Sequence, residues 1–219
     1  MARILLGVTG SVAAIRTPLI HEGLRGSGHT VRVVATDHAV QFFDPTWLPA
    51  DPTDLADDPV LRDSDEWPSA RRWERSDPVL HIELRRWADI LVVAPLDANT
   101  LAKFAFGLAD NCLTCLFRAW DFGRPVILAP AMNTLMWDSP VTRRQLRILL
   151  EDRGDGGPAG GWSLDDVEAV FARHAPSIRV VGPIAKRLAC GDVGLGAMAE
   201  VDRILLAVHQ SLQTPIVPT

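Results

Sequence analysis

Short apolar runs alternate along the chain with segments in which apolar residues recur at helical spacing. The apolar runs are rich in valine and isoleucine, and they lie at 3–8, 30–36, 90–95, 125–130 and 178–182. Such runs are typical of strands that are buried on both faces of a parallel sheet. The helical segments lie at 12–25, about 78–88, 98–119, 139–151, 164–174 and 200–212. This alternation predicts an α/β fold with a doubly wound parallel sheet, which binds ligands at the carboxyl ends of its strands.

Two stretches interrupt the alternation. Residues 44–78 are rich in proline and aspartate, and this composition predicts a long loop. Residues 152–163 are rich in glycine, and together with the helix that follows they form a predicted surface insertion at about 152–176. We expect residues 1–219 to form a single domain.

Composition narrows the functional classes. The 219 residues are 47% hydrophobic and carry 22 basic and 27 acidic side chains, for a net charge of −5. The apolar content excludes general disorder, and the lack of basic excess disfavours binding to nucleic acid or to an anionic membrane. No apolar run approaches the ~18 residues of a membrane helix, and the first residues resemble a strand rather than a signal peptide. The odd number of cysteines, three, indicates a reducing, cytoplasmic setting.

Polar residues follow three of the predicted strands. Gly10 and Ser11 come after the first strand, a polar loop starting at Asp97 follows the third, and Asn133 lies between two methionines after the fourth. A Gly-Ser pair between a strand and a helix offers backbone N–H groups and a hydroxyl to a phosphate. The alternative is that Ser11 and Asp97 only cap helices. The convergence of three loops at one sheet edge favours a ligand site.

One histidine and the cysteines are further candidates for chemistry. His81 lies on a mostly apolar predicted helix, where a structural role is the more common one. Cys112 and Cys115 form a C-x-x-C pair inside the predicted helix 98–119 and not at its start, so we interpret both as core residues. With no second pair, the sequence predicts no metal site. Cys190 lies in a glycine-flanked loop, outside any predicted element, from which its thiol could reach a ligand.

The ordered motifs resemble those of the homo-oligomeric flavin-containing cysteine decarboxylases, and within them the phosphopantothenoylcysteine type. The matching segments are GSVAA (10–14), DEW (65–67), DPVLHIELRRWAD (77–89), APLDANT (94–100), PAMNTLMW (130–137), RLACGD (187–192) and GAMAE (196–200). They occur in family order and span nearly the whole chain. The resemblance implies a flavodoxin-like (Rossmann-type) fold and assembly as a homotrimer, a trimer of trimers or a dodecamer, with FMN held between subunits.

The resemblance also implies roles for individual residues. His81 corresponds to an active-site histidine that acts as a base, Asn133 to an asparagine that binds the cysteinyl carboxylate or amide, and Cys190 to a thiol that donates a proton. Met136 belongs to the Asn133 loop, and Arg86 and Arg16 are candidates for binding the substrate's phosphate or carboxylate. The residues implied to bind FMN are Gly10, Ser11, Val12, Thr36, Phe42, Asp97, Asn99, Thr100, Ala131 and Met132.

The implied reaction converts phosphopantothenoylcysteine to phosphopantetheine, a step in the synthesis of coenzyme A. FMN oxidises the cysteinyl side chain to a thioaldehyde, CO₂ leaves to give an enethiolate, and reduction with a proton from Cys190 restores a thiol. An alternative is oxidative decarboxylation of the C-terminal cysteine of a ribosomal peptide to an aminoenethiol. Cys190 favours the first reaction, whereas the insertion at 152–176 keeps the second open. A remote alternative is a flavoprotein subunit that regulates a phosphatase, although residues 213–219 carry no acidic tail.

Overall fold

A six-stranded, all-parallel sheet forms the centre of the computed structural model, which describes residues 1–48, 60–67, 74–75, 77–187 and 193–214. The strand order is β3-β2-β1-β4-β5-β6. The strands are β1 (Arg3–Val8), β2 (Thr30–Ala35), β3 (Val60–Leu61), β4 (Ile90–Leu96), β5 (Val126–Pro130) and β6 (Ile178–Val180). The predicted α/β fold with a doubly wound parallel sheet is therefore confirmed.

Helices cover both faces of the sheet. The α-helices are α1 (Thr17–Gly26), α2 (Asp63–Glu66), α3 (Leu80–Trp87), α4 (Ala98–Phe106), α5 (Cys112–Arg118), α6 (Thr134–Trp137), α7 (Pro140–Arg153), α8 (Val167–His174) and α9 (Val201–Gln213). Short 3-10 helices span Val12–Arg16, Ala39–Gln41, Pro45–Trp47 and Leu164–Asp166. A separate antiparallel hairpin consists of β7 (Ile184–Arg187) and β8 (Val193–Ala197).

The sheet is apolar on both faces because it is covered on both. Leu5 belongs to a core cluster with side chains of α3, α4, α5, α7 and α8, whereas its neighbours Ile4 and Leu6 pack with α1 and α9. Successive side chains of a strand point to opposite faces, so both sets must be apolar. Every residue of β4 is buried, as expected for a central strand.

The predicted helix 98–119 is in fact two helices. Gly107 ends α4 in the left-handed conformation (φ 68°), which glycine adopts without steric cost. Asn111 then starts α5, because its side chain accepts a hydrogen bond from the Thr114 N–H (2.8 Å). In return, the Thr114 hydroxyl oxygen accepts a hydrogen bond from the Asn111 backbone N–H. Because of this break, Cys112 is the first residue of α5, which contradicts the prediction that the C-x-x-C pair avoids a helix start.

The corrected position does not make Cys112 a reactive thiol. Its side chain is buried, and burial raises its pKa well above the usual range, with a further rise from the negative charges of Glu66 and Asp63. Burial likewise raises the pKa of the half-buried Cys115 thiol. The interpretation of Cys112 as a core residue therefore holds for a reason other than the one its sequence position suggested.

Two predicted loops contain regular structure. Within 44–78, β3 pairs with β2, Val33 lying opposite Val60, and α2 follows directly. Within the glycine-flanked segment around Cys190, Val193–Ala197 forms β8. Cys190 itself lies outside the described residues.

Candidate active site

A cavity of about 410 Å³ opens at the carboxyl ends of β1 and β5. It brings together six of the residues singled out from the sequence: Ser11, Val12, Arg16, Ala131, Met132 and Asn133. The β7–β8 hairpin forms the opposite wall with Lys186, Arg187 and Gly196. We call this space the Asn133 cavity.

The hairpin is seated tightly on the loop that carries Asn133. The Met132 N–H donates to the Gly196 carbonyl (3.0 Å), and Gly196 has φ 154°, in the region that favours glycine. A methyl group at Gly196 would lie 2.3 Å from the Met132 carbonyl oxygen, and one at Gly194 would lie 2.6 Å from the Thr134 hydroxyl. Both positions therefore require glycine for this close approach.

The Asn133 side chain also starts α6. Its Oδ1 accepts the Leu135 N–H at 2.8 Å, and this bond orients the amide. The next side chains along α6, Leu135 and Met136, are exposed. A short helix thus presents an oriented amide and a flexible apolar side chain from one loop.

Two cationic side chains, Arg16 and the hairpin's Lys186, form ion pairs with one carboxylate. Glu200, at the start of α9, accepts hydrogen bonds from Arg16 (2.5 Å) and Lys186 (3.2 Å). The bonds from Arg16 and then Lys186 hold the pKa of the Glu200 carboxyl below its usual range. Arg16 is therefore at the cavity, as the sequence predicted, whereas Lys186 and Arg187 were missed because nothing in their spacing marks them.

A second, polar pocket of about 210 Å³ lies on the other side of the Gly10–Ser11 turn. Its lining includes Thr36, Asp97, Asn99 and Thr100 from the predicted cofactor set. The Thr36 hydroxyl is buried and has no hydrogen-bond partner among the described residues, which is costly unless a ligand supplies one. A methyl group at Gly10 would lie 2.7 Å from the His38 Cβ, so the turn leaves room only for glycine. We call this space the Thr36 pocket.

Two predicted ligand residues act as caps, as the alternative held. The Asp97 carboxylate accepts the Thr100 N–H at 2.6 Å and starts α4. Ser11 accepts the Ala13 N–H at 3.4 Å and starts the 3-10 helix. Capping leaves their remaining lone pairs at the sheet edge, and Ser11 still lines the Asn133 cavity while Asp97 lines the Thr36 pocket. Phe42 packs against the core on the α1 face and lines neither.

His81 has a partner that the sequence reasoning did not single out. The Glu66 carboxylate accepts the His81 backbone N–H at 2.8 Å and lies 2.7 Å from the His81 Nδ1. The Glu66 side chain is only 1% exposed and that of His81 17%. In the sequence, Glu66 is marked only by its place in the DEW segment (65–67), because no periodic pattern includes it.

His81 and Arg86 are not among the residues that line the Asn133 cavity or the Thr36 pocket. Arg86 is exposed and pairs with Glu83 one turn earlier on α3 (2.9 Å). A single chain therefore brings Asn133, Arg16 and the turn at Gly10 together, but it does not add the helix that carries His81.

Comparison with known proteins decides the family. A flavoprotein family model matches residues 1–155. The phosphopantothenoylcysteine decarboxylase of Mus musculus is 44% identical over 211 residues, which cover 96% of this chain and 87% of the mouse protein. The chain belongs to the flavin-containing cysteine decarboxylases.

Solved structures of this family share the fold. A cysteine-to-serine mutant of phosphopantothenoylcysteine decarboxylase, in complex with pantothenoylaminoethenethiol, is 42% identical, with a TM-score of 0.76 and coverage of 97% of this chain and 99% of that one. The FMN-binding protein AtHal3 is 44% identical, with a TM-score of 0.71 and coverage of 95% of each chain. The predicted flavodoxin-like fold is thereby confirmed.

The described residues contain neither a membrane-spanning helix nor a cluster of metal ligands. No helix in this part of the chain is long and apolar enough to cross a membrane. Within the same residues, no group of three or more His, Cys, Asp or Glu side chains is arranged to hold a metal ion.

Proposed function

We propose that this protein uses FMN to decarboxylate phosphopantothenoylcysteine to phosphopantetheine in coenzyme A synthesis. The observation that carries the proposal is the Asn133 cavity, closed by the β7–β8 hairpin, in a chain whose 42% identical relative binds pantothenoylaminoethenethiol. That ligand contains the enethiol group that decarboxylation of such a substrate generates. The proposal concerns the whole chain, since the similarity extends over almost all of it.

The cofactor residues fit a flavin mononucleotide. The unpartnered Thr36 hydroxyl and the Gly10–Ser11 turn offer donors to a phosphate, with Asn99 and Thr100 beside them. Ala131, Met132 and Val12 line the Asn133 cavity, and these residues would hold the flavin ring. When bound, FMN supplies a reversible two-electron oxidation of the cysteinyl side chain, which allows the carboxylate to leave as CO₂.

The chain's own residues bind the substrate and move protons. The Asn133 amide, oriented by its bond to the Leu135 N–H, suits the cysteinyl carboxylate or amide, and Met136 covers it. His81 accepts a proton as the base. Arg16 and Arg86 suit the substrate's anionic end, because a guanidinium binds phosphate with two parallel N–H groups. Cys190, in the segment between β7 and β8, returns a proton to the reduced product.

The complete site requires more than one copy of the chain. His81 and Arg86 lie outside the lining of both spaces, so a neighbouring copy would add them to the Asn133 cavity of the first. Exposed apolar side chains such as Trp67, Phe106 and Leu108 suit burial between copies. We propose a homotrimer, alone or as a unit of a trimer of trimers or a dodecamer. The odd cysteine count supports a cytoplasmic location.

The experiment is product analysis by mass spectrometry. Yellow, FMN-loaded protein incubated with phosphopantothenoylcysteine should give a product lighter by ~44 Da, because CO₂ leaves and the electrons return to the substrate. The matched control is His81→Asn, which should retain FMN and form product only at a small residual rate. Protein that binds no FMN, or holoprotein that leaves this substrate unchanged, would contradict the proposal.

A further inference from the structure

Glu66 is a buried carboxylate with a single residue as its principal partner. Its side chain is 1% exposed, and each of its two oxygens has a hydrogen bond to His81. Removing a carboxylate from water is expensive unless hydrogen bonds replace its hydration. The fold therefore places a hydrogen-bonded carboxylate at a buried position that an apolar side chain could fill.

An ionised carboxylate satisfies both contacts in only one tautomer of the His81 ring. Oε2 accepts the His81 backbone N–H at 2.8 Å, and Oε1 lies 2.7 Å from the ring Nδ1. An ionised carboxylate has acceptors only, so Nδ1 must carry the proton and donate it. An amide would instead favour the other tautomer, because its oxygen can accept the backbone N–H while its NH₂ group donates to an unprotonated Nδ1.

The proton on Nδ1 determines the chemistry of the other nitrogen. With Nδ1–H bonded to Glu66, the lone pair of the neutral ring lies on Nε2. Because the backbone and the ring of His81 are held by the same carboxylate, ring rotation is also restricted. The 17% of the His81 side chain that is exposed is then available as a proton acceptor in a defined orientation.

The surrounding charged groups belong to three elements. From α2, Asp63 accepts the Cys112 backbone N–H at 2.6 Å and joins α2 to α5, and Asp65 accepts the Arg62 N–H. From α5, the Cys112 thiol forms a hydrogen bond with Glu66, and burial raises the pKa of that thiol, so it stays protonated and donates. The other titratable or charged groups on these elements or near them include Glu83, Arg85, Arg86, Arg118, Asp110 and Cys115.

We propose that Glu66 is a positioning residue that holds His81 with its proton on Nδ1, so that Nε2 accepts the thiol proton of the cysteinyl substrate. This inference rests on the proposed function and extends it to a residue outside the substrate site. In the step, the S–H bond breaks, its electron pair stays on sulfur, and the proton forms an N–H bond at Nε2. The resulting imidazolium keeps Nδ1–H on Glu66, whose negative charge stabilises it.

The first test is Glu66→Gln in the FMN-loaded protein. We expect kcat to fall roughly 10- to 100-fold, the range typical of lost partners behind a functional histidine, with KM changed less than about threefold. Glu151→Gln, on the exposed surface of α7, is the matched control and should match the wild type. A wild-type kcat in Glu66→Gln would overturn the proposal.

The second test reports on the ring without turnover. In holoprotein with ¹⁵N-labelled histidine, the neutral His81 ring should show a protonated Nδ1 and an unprotonated Nε2. Glu66→Gln should shift the ring toward the tautomer protonated on Nε2, because the amide NH₂ can donate to Nδ1, while Glu151→Gln should retain the wild-type pattern. If Nε2 carries the proton in the wild type, the proposal is wrong whatever the rates are.

A double-mutant cycle separates positioning from general structural support. If Glu66 acts through His81, then Glu66→Gln should have no further effect on the residual rate of His81→Asn. An additional loss of the same size would contradict the proposal. Should Glu66→Gln fail to fold, Glu66→Asp keeps the charge but withdraws it by one methylene, and it should show a smaller tautomer change with a smaller loss of kcat. Wild-type tautomer and rate in that variant would also overturn the proposal.

The outcomes distinguish this proposal from the proposed function. If the wild type does not decarboxylate phosphopantothenoylcysteine, the proposed function fails and the tautomer measurement still decides the placement of the proton. If the wild type is active while Glu66→Gln equals it in rate and tautomer, only the role of Glu66 fails.

Discussion

At the scale of single residues, the same side chain can serve as a cap or as a ligand contact, and its sequence position does not separate the two. Ser11 and Asp97 were candidates for both, and each caps a helix while it lines one of the two spaces, Ser11 the Asn133 cavity and Asp97 the Thr36 pocket. Glu66 could not be predicted, because its contact with His81 joins residues 15 positions apart through tertiary packing. Asn133 was predictable, since it follows a buried strand at an edge where ligands bind.

Cys190 gives a prediction about the product rather than the rate. If Cys190 donates the final proton, Cys190→Ser should still release CO₂ but should free the oxidised enethiol. The product would then be lighter than the substrate by ~46 Da instead of ~44 Da. Mass spectrometry of single incubations checks this. The control is Cys115→Ser, at a half-buried position of α5, which should keep the loss of ~44 Da. A mass loss unchanged in Cys190→Ser would remove Cys190 from the proton transfer.

At the scale of elements, helices and central strands follow from periodicity, whereas breaks and short pairings do not. Gly107 divides the predicted helix 98–119. The sequence did contain a signal for this break, because Gly107 is followed closely by Asp110 and Asn111. The two-residue strand β3 has no pattern of its own, because only pairing with β2 makes Val60 and Leu61 a strand. Tertiary contacts thus decide the elements that local preference leaves undetermined.

Gly196 tests whether the seating of the β7–β8 hairpin matters for catalysis. Gly196→Ala combines a strained backbone conformation with a contact of 2.3 Å to the Met132 carbonyl, at a cost of roughly 1–3 kcal/mol. We expect kcat/KM to fall about tenfold or more while FMN absorbance and the melting temperature change little, since the hairpin lies outside the main sheet. The control is Gly160→Ala, where an added methyl group meets nothing within 4 Å. Equal activities of the two variants would contradict a role for this close seating.

Glu200 predicts a pH dependence of the same hairpin. Because its pKa is lowered in the folded protein, the stabilisation by Arg16 and Lys186 is present above the unfolded value of about 4.3 and is lost as the pH falls through the lower, folded value. The melting temperature of the wild type should exceed that of Glu200→Gln at pH 7, and the difference should shrink below about pH 4. Thermal melts of both proteins across this range measure it. A difference that stays constant at low pH would contradict the assignment.

At the scale of the whole molecule, the apolar surface indicates assembly. Phe106 and Leu108 are exposed next to each other at the end of α4, so a charge at Leu108 should weaken contact between copies. Leu108→Asp should reduce both the mass measured by light scattering and the FMN content, because the proposed site lies between subunits. Leu206→Asp, equally exposed but on α9 over the opposite sheet face, should keep the trimer. A yellow trimer of Leu108→Asp would exclude this surface as the interface.

Fold class and the location of the Asn133 cavity at the sheet edge were predictable, because parallel strands bring their carboxyl ends together. The absence of His81 from the lining of that cavity was not, since sequence order does not reveal which helix lies beside which strand end.

The most direct test of the central claim is a competition between two substrates. Wild-type holoprotein is incubated with equal amounts of phosphopantothenoylcysteine and a cysteine-terminated peptide, and both products are followed by mass spectrometry. We predict rapid conversion of the first with a loss of ~44 Da and an essentially unchanged peptide. Preferential loss of ~46 Da from the peptide would contradict this account and favour the aminoenethiol reaction instead.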